Sequence, residues 1–337
     1  MTTIKDIADL AGVSRGTVDR VLNNRGAVHP KTAEKIMEIV RALDYRPNKA
    51  GLALAAQKKR YKIGVILFSE NNPFFDEVMT GVRAKAAELQ DYGITTITKR
   101  VEFDVNAQLD AIDGLLEEGI HGLMLAPYNH MRIQKKIDEL IDRQIPVVTV
   151  NTDIGGSKRM AYVGSDYFRG GCTAAGLLAL MTSGDVKLGI ITGSSNVLCH
   201  TERIEGFCHT LKKSYPRIHV MEILENHDDE FKSYALTSRL LKEHPALDAL
   251  FFSAAGVYGG CKAILESGLH PRVITFDEVP TTLEMLKKGV ISATISQQPY
   301  RQGSRSLDIL FEYLTSGMPP ENELNFVELS IKIRENV

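Results

Sequence analysis

No pair of the four cysteines, Cys172, Cys199, Cys208 and Cys261, is spaced as Cys-x-x-Cys, and no Cys/His spacing matches a zinc site. Buried, reduced thiols are the expectation, which points to the cytosol. No apolar run approaches the roughly 20 residues that a membrane helix needs. The opening "MTTIKDIADLAGVS" lacks the apolar core of a signal peptide. The chain therefore reads as soluble, cytoplasmic and unanchored. No Gly-x-Gly-x-x-Gly follows the first strand-like run, and no Walker loop or nucleophile elbow occurs. No His-Asp-Ser constellation stands out. Catalytic residues, metal ligands and cofactors are not expected, and the chain does not read as an enzyme.

What is present is 337 residues, 44% of them hydrophobic, enough to bury two or three cores. The charge is uneven. Residues 1–60 carry 12 Lys and Arg against 6 Asp and Glu, whereas the remainder is acidic and brings the whole chain to −2. A basic head on an acidic body suggests that the head meets a polyanion.

The head reads as three helices. Thr3 suits the N-cap of the first, with Asp6 in its first turn. Ile4, Ile7, Ala8 and Leu10 supply its expected apolar stripe. Gly12 suits a turn with positive φ. Ser14 caps a second helix through "RGTVDRVLN", in which Val18, Val21 and Leu22 pack inward. Pro30 opens a third, with Ile36, Ile39, Val40 and Leu43 inward, and "YRPN" ends it. The following "KAGLALAAQKKR" is short and carries Gly51, so it reads as a linker that folds only against a partner.

From Tyr61 the pattern turns to strands alternating with helices, from "KIGVILF" through "HGLMLAP", "IPVVTVN", "VKLGIIT", "ALDALFFS" and "RVITFD" to "SATISQQP". That rhythm implies parallel sheets covered on both faces. The length suits two lobes. Ligands in such sheets sit beyond the carboxyl ends of the strands, which selects the residues to consider.

The head stretch "TIKDIADLAGVSRGTVDRVLNNRGAVHPKTAEKIMEIVRALDYRPN" follows the helix-turn-helix signature of the lac-repressor (LacI) family of transcription regulators nearly position by position. The body is similar to sugar-binding proteins of the ribose-binding type, on "NPFF", "VVTVNTD", "RIEGF", "TFDEVP" and "TISQQP" in order. The resemblance implies a three-helix DNA-binding head at 1–47, a hinge helix at 48–60 and a two-lobe effector-binding and dimerisation body at 61–337. The body would be a type I periplasmic-binding-protein-like pair of doubly wound parallel sheets. Its N-lobe would span about 61–161 and 292–322, and its C-lobe about 162–291 and 323–337. The implied protein is an operator-binding repressor, a homodimer on a pseudo-palindromic duplex, controlled allosterically by a small sugar or polyol. A sugar receptor with no DNA role is the alternative, but it would need a signal peptide and not residues 1–60. The ending "IKIRENV" has no trailing heptads, so a coiled-coil tetramer is not expected.

By that resemblance, Arg15, Gly16 and Arg20 fall where the family reads bases, and arginine can bind guanine O6 and N7 together. Ser14, Thr17 and Asn23 match phosphate contacts. Thr3, His29 and Asn48 join the expected DNA-facing set. Leu54 falls where the family drives a leucine between base steps, and Leu52 stands where relatives often carry a polar residue. Asp19 replaces the family's usual serine. It could repel phosphate, pair with an arginine or accept from a cytosine N4.

The same comparison nominates Asn72, Phe74, Phe75, Asn151, Thr152, Arg203, Asp277 and Gln297 for the effector. Rings stack on the apolar faces of sugars, while Arg and Asp clamp neighbouring hydroxyls. "NPFF" also suits a helix cap over a core. Ala254 and Ala255 stand where ribose-type proteins carry Asn-Asp, with Tyr258 as compensation. Asp228 stands at an aromatic position. These departures widen the expected ligand from a simple pentose to a polyol, a modified sugar or an amine-bearing ligand.

Overall fold

The computed structural model describes residues 3–22, 26, 28–43, 45, 59–68 and 72–337. Asn23, Asn48, Leu52, Leu54 and nearly all of the expected hinge helix lie outside them.

Helices α1 (Ile4–Ala11), α2 (Arg15–Leu22) and α3 (Pro30–Ala42) build the head. Thr3 caps α1 reciprocally. The Asp6 N–H donates to Thr3 Oγ1 at 3.3 Å, and the Thr3 N–H donates to Asp6 Oδ2 at 2.7 Å. Gly12 ends α1 at φ +71°, a conformation that costs glycine nothing. Ser14 Oγ accepts the Thr17 N–H at 3.1 Å and opens α2. Ile7, Ala11, Val18, Leu22, Ile36 and Val40 close the small core. Leu10 is 58% exposed, so the expected α1 stripe is corrected to Ile4, Ile7, Ala8 and Ala11. Those positions recur every three or four residues on one face, and Leu10 does not. Leu43, at the C-cap of α3, is likewise exposed.

The first lobe contains β1 (Lys62–Phe68), α4 (Pro73–Gln90), β2 (Thr95–Val101), α5 (Val105–Glu117), β3 (Gly122–Leu125), α6 (Met131–Asp142), β4 (Val147–Val150) and β5 (Ala161–Gly164). The second runs α7 (Tyr167–Met181), β6 (Val186–Thr192), α8 (Leu198–Ser214), β7 (Ile218–Glu225), α9 (Glu230–Glu243), β8 (Ala249–Phe252), α10 (Val257–Ser267), β9 (Arg272–Phe276), α11 (Pro280–Lys287) and β10 (Ala293–Ser296). Helix α12 (Pro299–Ser316) then packs back on the first lobe, against α4, β3, β4 and β5. Strand β11 (Leu324–Phe326) joins the first sheet and β12 (Ser330–Lys332) the second.

The sheet orders are β11-β5-β4-β3-β1-β2 and β12-β10-β9-β8-β6-β7. Every pairing is parallel except β10 with β12. Inner strands such as β1, buried from Ile63 to Phe68, are continuously apolar because helices cover both faces. Each lobe has a core on either side of its sheet.

The chain crosses between lobes three times, after β5, after β10 and between β11 and β12. This corrects the expected lobe limits by a few residues. β5 belongs to the first sheet, whereas the sequence places residues 162–164 in the C-lobe, and β10 belongs to the second, whereas the sequence places 292–322 in the N-lobe. β11 likewise lies in the first sheet. Each strand completes its hydrogen-bonded pairing before the chain leaves the sheet, so crossovers fall after strand ends. Among the described residues no helix is long and apolar enough to cross a membrane. All four cysteines are free, with Cys199 and Cys261 buried and Cys172 and Cys208 half-buried.

Candidate functional site

A cavity of about 280 Å³ lies between the lobes. It is near the lower end of the roughly 300–1,000 Å³ typical of small-molecule sites. Nine of the ten residues nominated for the effector line it: Asn72, Phe74, Phe75, Asn151, Thr152, Arg203, Asp228, Asp277 and Gln297. Tyr258 does not. It stands half-buried in the first turn of α10, packed on the outer core of the second lobe, with the Lys262 ammonium 5.5 Å from its ring centroid. The space where Ala254 and Ala255 remove polar groups is therefore not refilled by Tyr258.

The first lobe supplies an aromatic wall. Asn72 Oδ1 accepts the Phe74 N–H at 3.0 Å, so "NPFF" does cap α4. The same turn brings Phe74 and Phe75 to the cavity edge, 4% and 5% exposed. Phe68 meets Phe75 edge-on at 6.0 Å between centroids and Phe103 at 4.8 Å. Asn151, at the end of β4, adopts φ +64°, and its Nδ2 donates to the Tyr167 hydroxyl at 3.0 Å across the first crossover.

The second lobe supplies the polar wall. Arg203 is 2% exposed, its guanidinium held 4.1 Å from the Phe276 ring and 4.7 Å from Tyr167, with Nη1 donating to the Ser253 carbonyl at 2.5 Å. Asp277 leaves β9 at φ +72° and accepts from Gln297 Nε2 at 2.5 Å. Burial pushes the Asp277 carboxyl up, while Arg203 and Gln297 oppose the rise. Asn151, Asp228 and Asp277 are all nominated residues in the left-handed region, a strain that clusters at ligand sites. Among the described residues Thr152 Oγ1, Arg203 Nε and Gln297 Oε1 are buried without a hydrogen-bond partner, a deficit that water or a ligand makes good.

Sequence reasoning missed His200, Cys199, Ser194, Phe68 and Phe103, which also line the cavity. His200 lies three residues before Arg203 on α8, so helical spacing carried the signal. Phe103 follows β2 and was open to the same strand-end rule that found Asn151. The His200 imidazole donates from Nδ1 to the Ser194 carbonyl at 3.2 Å, and its Nε2 faces Asp228 Oδ1 at 3.8 Å. Burial alone would depress its pKa, but the Asp228 carboxylate and Cys199 outweigh it and hold the group at about 9. The ring is accordingly a cation at neutral pH, donating from both nitrogens.

In the head, Thr3, Ser14, Arg15, Gly16, Arg20 and His29 are exposed, and Thr17 is half-buried. Arg15 and Gly16 open α2, and Arg20 lies in its last turn. The hydroxyls of Thr3 and Ser14 are both engaged in capping. Asp19 acts on Tyr45, whose phenol is pushed up first by burial and then by the Asp19 charge.

Two family models match the chain. "Periplasmic binding protein domain" covers residues 63–318, and "Bacterial regulatory proteins, lacI family" covers 3–48. The HTH-type transcriptional regulator MalR of Clostridium butyricum is 27% identical over 317 residues, 93% of each chain. The ribose operon repressor of Haemophilus influenzae is 27% identical over 346 residues, covering 100% of this chain and 99% of that protein. Among solved structures, the glucose-galactose binding protein GanP of Geobacillus stearothermophilus is 26% identical with a TM-score of 0.75, covering 82% of this chain and 98% of that one.

Proposed function

The chain belongs to the periplasmic binding protein domain family and carries the lacI-family regulatory head, and on that premise we propose how the two parts work together. The protein is a DNA-binding transcription regulator. Its head reads an operator through Arg15 and Arg20, with Gly16 admitting the duplex closely and Ser14, Thr17 and Asn23 on the phosphates. Thr3, His29 and Asn48 complete the DNA-facing set, and Leu54 enters the minor groove of a duplex bound by a homodimer.

The body takes a small sugar or polyol in the cavity between its lobes. Aromatic rings of the first lobe cover an apolar sugar face, and Arg203, Asp277 and Gln297 bind hydroxyls from the second. The observation that carries this reading is the convergence of nine residues from scattered segments of both lobes on one cavity. The relative named a ribose operon repressor and the solved glucose-galactose binding protein support the ligand class. Three crossovers make the lobe angle the variable that a ligand between the lobes changes. Lobe closure then alters the spacing of the two heads in the dimer, and operator affinity with it.

A thermal-shift screen of the full chain against pentoses, hexoses and inositols tests the ligand half. A ligand at ~100 times its Kd adds about 2.7 kcal/mol of native stability. At least one member is expected to raise the melting temperature of the protein and not that of Arg203→Ala. A panel with no such member contradicts the polyol reading.

A further inference from the structure

This inference rests on the reading of the cavity as the effector site, and concerns which effectors it rejects. Charge is confined to the second-lobe wall, since the first-lobe wall is aromatic, amide and hydroxyl. His200 and Arg203 stand one turn apart on α8 and share the cavity lining with Asp228, Asp229 and Asp277. Each cation has a carboxylate within reach of its field. His200 Nε2 lies 3.8 Å from Asp228 Oδ1, and the Arg203 charge draws the Asp277 carboxyl down against the rise that burial causes. Asp229 accepts the Lys232 N–H at 2.6 Å, so its charge rests on the N-terminus of α9. His227, the other basic side chain of the wall, adjoins Asp228 and Asp229 in sequence. With Asp229 committed to the N-terminus of α9, two cations, His200 and Arg203, stand against two carboxylates, Asp228 and Asp277, on the cavity wall.

The His200–Asp228 pair is also held in place from behind. The His200 Nδ1–H donates to the Ser194 carbonyl. A Cβ at Gly193 would strike the His200 ring, so the ring packs directly against the backbone there. Asp228 adopts φ +61°, donates its N–H to Asn226 Oδ1 at 2.9 Å and accepts the Ala255 N–H at 3.0 Å. Asn226, 1% exposed, also donates to the Ala255 carbonyl at 2.7 Å and ties the two loops together. The 3.8 Å gap is too long for a direct hydrogen bond, but a hydroxyl can accept from Nε2 and donate to the carboxylate.

We propose that the His200–Asp228 pair is a specificity determinant, which bridges a hydroxyl of an uncharged polyol and excludes sugars bearing a phosphate, carboxylate or ammonium. Adding a net charge to this balanced wall sets it against a like charge at short range, and such contacts suppress wrong partners.

The test uses the full chain and matched ligands, by calorimetry: D-glucose, D-glucuronate, D-glucose 6-phosphate and D-glucosamine, D-ribose and D-ribose 5-phosphate, and myo-inositol. An uncharged member is expected to bind, and its charged counterparts to bind at least on the order of tenfold more weakly. A charged counterpart that binds as tightly overturns this inference and leaves the effector reading intact. Failure of every member, charged or not, defeats the effector reading and this inference with it. In Asp228→Asn the freed His200 cation should raise the affinity ratio of uronate to parent sugar on the order of tenfold. His200→Gln should raise the ratio of amino sugar to parent sugar by a similar factor. Each ratio compares ligands within one variant, so a general loss of stability does not produce it. If both ratios match the unsubstituted protein, the pair is not the determinant.

Discussion

A histidine buried to 7% exposure and still held as a cation leaves a signature in the pH dependence of stability. The His200 pKa is raised to about 9 in the folded chain, against about 6.5 unfolded. The folded state therefore holds this proton more tightly. The stability it contributes is fully present below pH ~6.5 and is lost as pH rises towards 9. Glu202, raised to about 7 by burial and then by Asp153 and Asp166, loses its contribution in the same direction but over a lower range. Melting curves across pH 6.5–9 are expected to fall for the protein and to flatten for His200→Gln. Equal slopes would contradict the assignment of the proton to His200. At this scale the sequence was informative where a residue ends a strand, as at Asn151, Asp277 and Gln297, because the fold rule fixes the direction of strand ends. It was uninformative at Tyr258, where a helix turn decided the direction, and at His200, which no strand end points to.

Among elements, α7 and α8 decide where the polar wall stands. A Cβ at Gly171 would fall on the Arg203 carbonyl, and one at Gly206 on the Phe168 carbonyl, so the two helices touch backbone to backbone. Gly206→Ala must push α8 outward and carry His200 and Arg203 with it. The expected result is weaker ligand binding together with a lower melting temperature, whereas unchanged calorimetric affinity would show that α8 has not moved. In the head, Ser14→Ala removes the hydroxyl that caps α2 and is expected to cost about 1 kcal/mol in denaturant unfolding of the head. Arg15→Ala should instead leave stability intact and cost roughly 1–3 kcal/mol of discrimination between operator bases. Most of these elements were legible as apolar runs such as "KIGVILF" and caps such as Thr3 and Ser14. Strands β11 and β12 were not, because three residues carry no period. Helix α12 went unread although Pro299 at its start and Leu307 and Leu310 on its inner face supplied the pattern.

Across the whole molecule, the head and the cavity share no residues, so coupling between them must pass through the lobes. The basic head sets the first expectation. Operator affinity should fall with salt at a log–log slope of about −0.9 per phosphate neutralised. A flat response would remove the electrostatic basis for DNA binding. The division into a head and two lobes was legible in the change from basic helices to strand-helix alternation. The exact crossovers were not, since β5 and β10 keep their pairing for a few residues past the expected limits. The central claim is that one cavity controls the other end of the chain, and linkage makes it measurable. A duplex selected from a random pool on the full chain would be titrated by fluorescence anisotropy, with and without a saturating uncharged sugar that raises the melting temperature. The account predicts a change in operator affinity of roughly fivefold or more, with the duplex changing the sugar's affinity by the same factor. An operator affinity that stays the same with the cavity filled would contradict it.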